Sequence, residues 1–376
     1  MKKTMLATLT IVTALAMAGC GTANTANTSP QTDEGTSKIK VYTTLYPLEY
    51  AAKRIAGEYA DVANIVPAGV EPHDFEPTAK DMVALSSADL FIYNGSGFEA
   101  WVDNAVKGMD KNKTTVVNTT EGLSLLEAAG GHDHDHGHEG EAAEAGHDDH
   151  KEGSGAQGHE EHKEGSEAQG HEEHKQDAAA ATGSTEEHAH EHEHDHGGTD
   201  PHVWLDPHVW LDPTMLKAQA EKIKSALVEK DKAHAEAYEK NYQQLAADLD
   251  QLDKDFADMV SKSSKKEFMV AHSAFAYLAK RYGLEQVAIS GIDPADEPSP
   301  SEMKELVEHV KEHNISYVLF ETLASPKVAE VIAKEAGVQT GTLNPLEGLT
   351  EEEAKAGKDY LSIMKDNLEM LRAALK

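Results

Sequence analysis

The segment DPHVWLDPHVWLDP, residues 200–213, repeats a six-residue unit in tandem. Each copy places one histidine, His202 or His208, beside a tryptophan and between aspartates. A histidine-rich acidic tract precedes the segment, and a helical pattern follows it directly, with Asp212 as a helix N-cap and Pro213 at the first helical position. We therefore expect a low-complexity region to end here and an ordered site to begin.

The tract upstream, residues 127–198, contains 15 histidines and few apolar residues. Residues 127–200 include 22 acidic side chains against three lysines, so this part supplies more than half of the net charge of −33. Such a composition does not offset its ordering entropy, which predicts a disordered insertion in a surface loop of the first lobe. Nucleic-acid binding is disfavoured, because a phosphate partner requires a basic face.

Strand-like and helical patterns alternate on both sides of this tract. KIKVYTTLY, residues 38–46, begins one series, and EFMVAH, residues 267–272, begins another. Between them, an apolar stripe with alternate spacings of four and three predicts a helix of about 25 residues: Tyr238, Tyr242, Leu245, Leu249, Leu252, Phe256 and Met259. The expected fold is α/β with two lobes, each a mainly parallel sheet flanked by helices, joined by one long rigid helix.

The N-terminal region has the layout of a secretory signal, with two lysines, an apolar run and Ala-Gly before Cys20. Its end resembles a bacterial lipobox, in which the cysteine is acylated, and the alternative is a plain secretory signal that ends beside a cysteine. Residues 21–37 have the composition of a flexible tether. Because Cys20 is the single cysteine, a metal site in the mature domains must use nitrogen and oxygen ligands.

These patterns divide the chain into five segments. They are a lipoprotein signal peptide (1–20), a tether (21–37), a first lobe (38–232) that contains the insertion (127–198), a linker helix (233–262) and a second lobe (263–376). Coiled-coil dimerisation through the long helix is an alternative. The α/β patterns on both sides of it favour a linker packed on its own lobes, and we expect a monomer.

Polar side chains in loops at the boundaries of predicted elements are the candidates for a metal site: His73, His208, His272 and Glu347. Ligands of open α/β sheets collect outside the carboxyl ends of the strands, so these side chains are placed to converge between the lobes. Three imidazoles and one carboxylate form a tetrahedral set suited to Zn²⁺. Spacing alone leaves open that each histidine is a cap or a satisfied polar group, and that Glu347 caps the helix after it.

Specific motifs extend over nearly all of the mature chain: the lipobox at Cys20, GVEPHDFEPT, the His-rich insertion, DPHVWLDP, FMVAHSAFAYLAKRYGL, DEPSPSEM and NPLEGLTEEE. Together they resemble the metal-receptor lipoproteins of bacterial zinc-uptake ABC transporters, a family of solute-binding proteins. The resemblance implies that one metal ion is bound between the lobes by three histidines and a carboxylate, here His73, His208, His272 and Glu347. It implies an extracytoplasmic zinc receptor, anchored to the cell membrane by an N-terminal lipid, that delivers Zn²⁺ to an ABC permease.

The resemblance also orders the candidate ligands. Manganese receptors of this superfamily usually have glutamate at the position of His272, so the histidine favours zinc. Water replaces the fourth carboxylate in some zinc receptors, and Glu321 is a rival to Glu347 that also fits a position bracing the lobes. The family has a single DPHVWLDP, and the interval 272 − 208 = 64 residues is close to the family interval, which favours His208 over His202.

Other functions are weighed against the receptor. A manganese receptor on the same fold is disfavoured by His272. A zinc hydrolase would hold a metal-activated water on His73, His208 and His272, with Glu71 or Glu76 as the base, but a fourth protein ligand closes the reactive position. A zinc store or adhesin has only the His-rich tract in its favour, whose histidine pairs suit weak binding of Zn²⁺, Cu²⁺ or Ni²⁺. We therefore predict a binding protein, not an enzyme, with Zn²⁺ as the transported ligand.

Overall fold

The computed structural model describes residues 38–128 and 205–376. Within these ranges the chain forms two four-stranded parallel sheets. In the sequence, one sheet precedes a long helix and the other follows it. The signal peptide with Cys20, the tether, nearly all of the insertion and His202 lie outside the described residues. None of the described helices combines the length and the apolar character needed to cross a membrane.

The first sheet has the strand order β2-β1-β3-β4. It is built from β1 (Ile39–Thr43), α1 (Tyr46–Ala56), β2 (Ala60–Asn64), α2 (Ala79–Leu85), β3 (Leu90–Tyr93), α3 (Val102–Lys107) and β4 (Thr115–Asn118), and α4 (Pro213–Lys230) packs on β3 and β4. Strand β1 pairs in parallel with β2 on one side and β3 on the other. The strand order reverses at this point, and the crevice outside the carboxyl end of β1 is where such sheets bind ligands.

The second sheet repeats this topology in the order β6-β5-β7-β8. Its elements are β5 (Glu267–Val270), α6 (Ala276–Tyr282), β6 (Glu285–Ala288), α7 (Pro300–Glu312), β7 (Tyr317–Phe320), α8 (Lys327–Ala336), β8 (Gln339–Thr342), α9 (Glu351–Lys355) and α10 (Tyr360–Ala374). Helix α7 begins with a capping box between Ser299 and Glu302 and with Pro300 in its first turn. The predicted α/β class with two parallel-sheet lobes is confirmed.

Helix α5 (Ala235–Ser261) has 27 residues and joins the two lobes. At 1.5 Å per residue it is about 40 Å long. All but one residue of the predicted apolar stripe are at most 1% exposed, and the seventh, Tyr242, is partly buried against the same core. The helix packs on α1 and α4 of the first lobe and on α6 and α10 of the second. The stripe is therefore covered by the chain's own helices.

The second copy of the tandem repeat is held by hydrogen bonds from the second lobe. The indole of Trp210 donates to the Pro345 carbonyl at 2.7 Å, and the Tyr360 hydroxyl donates to the Trp210 carbonyl at 2.6 Å. The Tyr277 hydroxyl donates to the Asp206 carbonyl at 2.8 Å. Because these groups are buried, loss of one partner costs about 1–3 kcal/mol, so the two lobes meet in a defined arrangement at the repeat.

Candidate metal centre

Four predicted side chains meet between the lobes, and one ligand atom from each lies within 4.8 Å of the others: His73, His208, His272 and Glu347. His73 lies in the loop after β2, His272 follows β5, and Glu347 follows β8, so three of them extend from the carboxyl ends of strands. The side chains of His208 and His272 are fully buried, that of Glu347 is 2% exposed and that of His73 is 10% exposed.

We name these four residues the cleft cluster. The distances between their ligand atoms match those of a tetrahedral site. Oε1 of Glu347 lies 3.5 Å from Nε2 of His73, 3.3 Å from Nε2 of His208 and 3.2 Å from Nε2 of His272. The Nε2 atoms of His208 and His272 are 3.4 Å apart. A tetrahedral zinc ion with bonds of 2.0–2.1 Å separates its ligands by about 3.3–3.4 Å, so these four distances agree with the spacing of zinc ligands.

Two atoms that face the centre of the cluster are buried without a hydrogen-bond partner among the described residues, Nε2 of His73 and Oε1 of Glu347, and Nδ1 on the outer side of the His272 ring is a third such atom. An unsatisfied buried polar group costs about 1–3 kcal/mol, and proteins rarely retain one without a reason. Coordination of a cation satisfies both atoms at once, because an imidazole lone pair and a carboxylate oxygen are both zinc ligands.

The electrostatics of the cluster also favour a cation. Burial raises the pKa of Glu347, but the three imidazoles outweigh it and hold that pKa well below its usual value. Burial lowers the pKa of His272, but Glu321 and Glu347 raise it to about 10. For His208, burial again lowers the pKa, and Asp206 and Glu347 raise it above the usual value. His272 therefore holds a proton at neutral pH, which a metal ion must displace.

A carboxylate contacts Nδ1, the outer ring nitrogen, of each of the two fully buried histidines. Oδ1 of Asp206 lies 2.8 Å from Nδ1 of His208 and accepts the His208 backbone N–H at 2.9 Å. Oε1 of Glu321 lies 2.5 Å from Nδ1 of His272 and accepts the His272 backbone N–H at 3.0 Å. These contacts fix each ring with Nε2 facing the cluster, as in carboxylate–histidine–metal arrangements. Glu321, which the sequence left as an alternative to Glu347, contacts Nδ1 of His272, on the side of that ring away from His73, His208 and Glu347.

His73 is oriented by its own loop and by an aromatic ring. The Glu71 carboxylate accepts the His73 backbone N–H at 3.1 Å, and the Phe98 ring lies 4.5 Å from the His73 ring between centroids. Burial, and then the charge of Glu347, raise the pKa of Glu71 to about 8. Glu71 is thus mostly protonated at neutral pH, so its carboxyl group does not accept a proton there, and Glu76 is exposed to solvent.

The loop that presents Glu347 has a strained backbone. Leu346 has a φ of +60°, a conformation that costs a non-glycine residue about 1–3 kcal/mol. Its N–H donates to Oδ1 of Asn344 at 2.8 Å, and the side chain of Asn344 donates to Glu353 at 2.9 Å. Asn344 and Asn367 are joined by two buried hydrogen bonds of 2.8 and 2.7 Å. This network holds the turn that directs Glu347 into the cleft.

Neither Asp206 nor Phe98 is among the site residues predicted from the sequence. Asp206 stands two residues before His208 in the DPH motif, so the sequence contained a signal for a carboxylate–histidine pair. No sequence signal connects Phe98 with His73, because their contact depends on how the loops after β2 and β3 fold. His202 lies outside the described residues, and the structure makes no comparison between it and His208.

Comparison with known proteins identifies relatives over nearly the whole chain. The family described as ZnuA, zinc-uptake complex component A periplasmic, matches residues 41–162 and 155–374. The high-affinity zinc uptake system protein ZnuA of Bacillus subtilis is 37% identical over 364 residues, covering 96% of this chain and 94% of that protein. The zinc-binding lipoprotein AdcA of Streptococcus pneumoniae is 35% identical over 339 residues, covering 89% of this chain and 55% of AdcA. The chain thus spans about half the length of AdcA.

Solved structures agree with the sequence relatives. The crystal structure of the Zn(II)-bound ZnuA-like domain of Streptococcus pneumoniae AdcA superposes with a TM-score of 0.64 at 33% identity, covering 90% of this chain and 99% of that domain. A receptor for metal uptake, and not an enzyme, is confirmed as the class of protein. From the extent of the family match and the identity to its relatives, the chain belongs to the ZnuA family of periplasmic zinc-uptake components.

Proposed function

We propose that this protein is an extracytoplasmic high-affinity zinc receptor that captures Zn²⁺ between its lobes and delivers it to an ABC permease. The observation that carries the proposal is the cleft cluster, in which three imidazole nitrogens lie 3.2–3.5 Å from one carboxylate oxygen of Glu347. The names of the relatives, a zinc uptake system protein and a Zn(II)-bound domain, support zinc as the transported ion.

The ligand set favours binding over catalysis. His73, His208, His272 and Glu347 fill the tetrahedral positions of one ion, and no place remains for the activated water of a hydrolase. Three neutral nitrogen ligands also favour zinc over manganese, which prefers carboxylate, carbonyl and water oxygens. We propose that Glu347 is the fourth ligand and that Glu321 and Asp206 orient the histidines without binding the ion.

Release of the ion requires the ligands to separate. Helix α5 packs on both lobes, and buried hydrogen bonds tie the second lobe to the tandem repeat. This arrangement favours a small rocking of the lobes or a local loop change over wide hinge closure. The loop of His73 suits that movement, because its ligand is the most exposed of the four.

Three further features complete the proposal. Acylation of Cys20 would anchor the receptor to the membrane, which the lipoprotein AdcA among its relatives supports.

The His-rich insertion would gather Zn²⁺ near the cleft through many weak sites. If removal of residues 131–197 leaves uptake unchanged when zinc is scarce, the insertion has no such role. The receptor would act as a monomer, because its lobes already cover the apolar stripe of α5.

The experiment that tests the proposal is a zinc titration by calorimetry with a competing chelator that strips weakly bound ions. The mature protein is compared with His208→Ala and with His202→Ala, which removes the corresponding histidine of the first repeat. We expect one tightly bound ion, an affinity lowered more than about 100-fold by His208→Ala, and no change with His202→Ala. Equal weak binding by all three proteins would mean that the His-rich tract is the only metal binder, and the receptor proposal would be wrong.

A further inference from the structure

A second cluster of side chains of the types that bind metals lies in the second lobe: Glu267, His309 and His313. Glu267 is the first residue of β5, His309 lies in the last turn of α7, and His313 is the C-cap of that helix. Nε2 of His309 contacts Oε1 of Glu267, and Nδ1 of His313 lies 2.6 Å from the other oxygen, Oε2. The two imidazole rings stack with their centroids 3.9 Å apart. We name this the peripheral cluster.

The peripheral cluster is separated from the cleft by the length of a strand. Glu267 lies at the amino end of β5, whereas His272 follows its carboxyl end, five residues later. At about 3.3 Å per residue the two Cα atoms lie at most about 16 Å apart, on opposite ends of the strand. The clusters share no ligand, so an ion at the periphery does not occupy the cleft.

The donor set suits a borderline divalent ion. Histidines four residues apart lie on the same face of a helix, which is the spacing that chelating helices use. The negative end of the α7 dipole faces this position and stabilises a cation. Both carboxylate oxygens of Glu267 face ring nitrogens of His309 and His313, so one carboxylate and two imidazoles already lie together at this point.

The carboxylate of Glu267 is not committed to the lysines that precede it. Lys265 donates to the Asn314 carbonyl at 2.6 Å, and Lys266 donates to the Val260 carbonyl at 2.5 Å. Its described partners are the two histidines. The side chains of Glu267, His309 and His313 are 18%, 31% and 45% exposed, so an ion reaches them from solvent and water completes its coordination.

We propose that Glu267, His309 and His313 form a second binding site for a divalent transition ion of the Zn²⁺, Cu²⁺ or Ni²⁺ class. The ion takes the place of the direct contacts between the imidazoles and the carboxylate, each neutral imidazole keeping its one proton on the nitrogen that faces away from the ion, and it links the start of β5 to the end of α7. The site binds more weakly than the cleft, because it has three protein ligands and remains open to water.

The test measures each histidine separately, so that the His-rich tract does not obscure the result. Diethyl pyrocarbonate modifies imidazole nitrogens that carry neither a proton nor a metal, and peptide mass spectrometry of the mature full-length protein gives the rate for His309 and His313. At free Zn²⁺ about ten times the dissociation constant, we expect both rates to fall about tenfold. His234 is the matched control, since it pairs with Asp231 at 2.6 Å and is 29% exposed, and its rate stays unchanged.

The variant Glu267→Gln retains both imidazoles and removes the charged ligand. We expect the Zn²⁺ concentration that protects the histidines to rise at least about tenfold, each rate being compared with that of the same variant without zinc. His313→Asn, at the most exposed position, weakens protection of His309 similarly and serves if Glu267→Gln fails to fold. Unchanged rates with zinc in the wild type, or equal protection in Glu267→Gln, would overturn the site and leave an ion-pair contact between β5 and α7.

Discussion

The cleft cluster and the peripheral cluster contain the same kinds of ligand in different surroundings. The cleft has three histidines and a glutamate with side chains between 0 and 10% exposed. The periphery has two histidines and a glutamate between 18 and 45% exposed. In the cleft, Asp206 and Glu321 contact the outer ring nitrogens of two histidines, and Glu347 faces the inner nitrogens of all three. At the periphery one carboxylate contacts both histidines itself.

This difference indicates that a receptor site depends on its surroundings as much as on its ligands. Burial makes an uncompensated carboxylate costly, so Glu347 is stable in the cleft only beside cations, either imidazolium protons or a metal ion. The outer carboxylates fix the rings before the ion arrives, and less ordering entropy is then lost on binding. The peripheral histidines lack such partners among the described residues and are hydrated, so the gain on binding an ion is smaller.

The largest expected effect separates the two glutamates. Glu347→Gln removes the proposed fourth ligand and the negative charge that faces three imidazoles, and we expect zinc affinity at the cleft to fall more than about 100-fold. Glu267→Gln makes the same chemical change at the periphery and leaves the cleft affinity unchanged. Chelator competition on both variants measures the contrast. If both changes weakened tight binding equally, the division into a primary and a peripheral site would fail.

Much of this arrangement was accessible from sequence, because it follows from local patterns and one topological rule. Alternating strand and helix patterns predicted the two sheets, and the stripe from Tyr238 to Met259 predicted α5. His73, His272 and Glu347 follow strands of parallel sheets, whose carboxyl ends face a common crevice. The resemblance to zinc receptors then selected them from other polar loop residues.

The rest depends on contacts that no local pattern encodes. His309 and Glu267 are 42 residues apart on a helix and a strand, so their contact depends on how α7 packs beside β5. Glu321 was placed among the possible ligands because sequence does not tell which side of His272 it faces. The left-handed backbone conformation of Leu346 could not be predicted either, since leucine does not favour it. Contacts with the surrounding asparagines impose it.

A smaller loss of zinc affinity is expected when a carboxylate that contacts the outer nitrogen of a cleft histidine is replaced. Asp206→Asn keeps the shape beside His208 but removes the charge that orients Nδ1, and we expect zinc affinity to fall about 10–100-fold. Asp231→Asn is the matched control, because Asp231 contacts the ring of His234 at 2.6 Å outside both clusters. The same titration measures both. An Asp206→Asn protein that binds as tightly as the wild type would show that ligand identity alone determines affinity.

The affinity of the cleft for zinc should depend on pH. The pKa of His272 is about 10, so this group is protonated below that pH and zinc must displace its proton. Affinity therefore rises with pH, by up to about tenfold per unit for one released proton, between pH 6 and 8. Burial, and then the charge of Glu347, raise the pKa of Glu71 to about 8. Zinc offsets the charge of Glu347 and so lowers that pKa, and Glu71 adds to the proton release below pH 8.

Calorimetry in buffers of different ionisation enthalpy counts the released protons, and we expect at least about one per zinc at pH 7. Glu321→Gln removes the first of the charges that raise the pKa of His272, so it makes the pH dependence shallower. A wild-type heat of binding that is independent of the buffer would contradict a protonated His272.

The smallest expected effect concerns stability at the periphery. In the absence of metal, Glu267→Gln removes hydrated contacts with His309 and His313, and surface ion pairs of this kind contribute about 0–1 kcal/mol. The folded pKa of Glu267 is lowered, so its contribution is present above the unfolded pKa of about 4.3 and is lost as the pH falls through the lowered folded value. Urea unfolding of the two proteins at pH 7 and pH 3 measures both differences. A loss above about 2 kcal/mol at pH 7 would mean that the cluster serves mainly to join β5 to α7, and the peripheral ion would then compete with a structural contact.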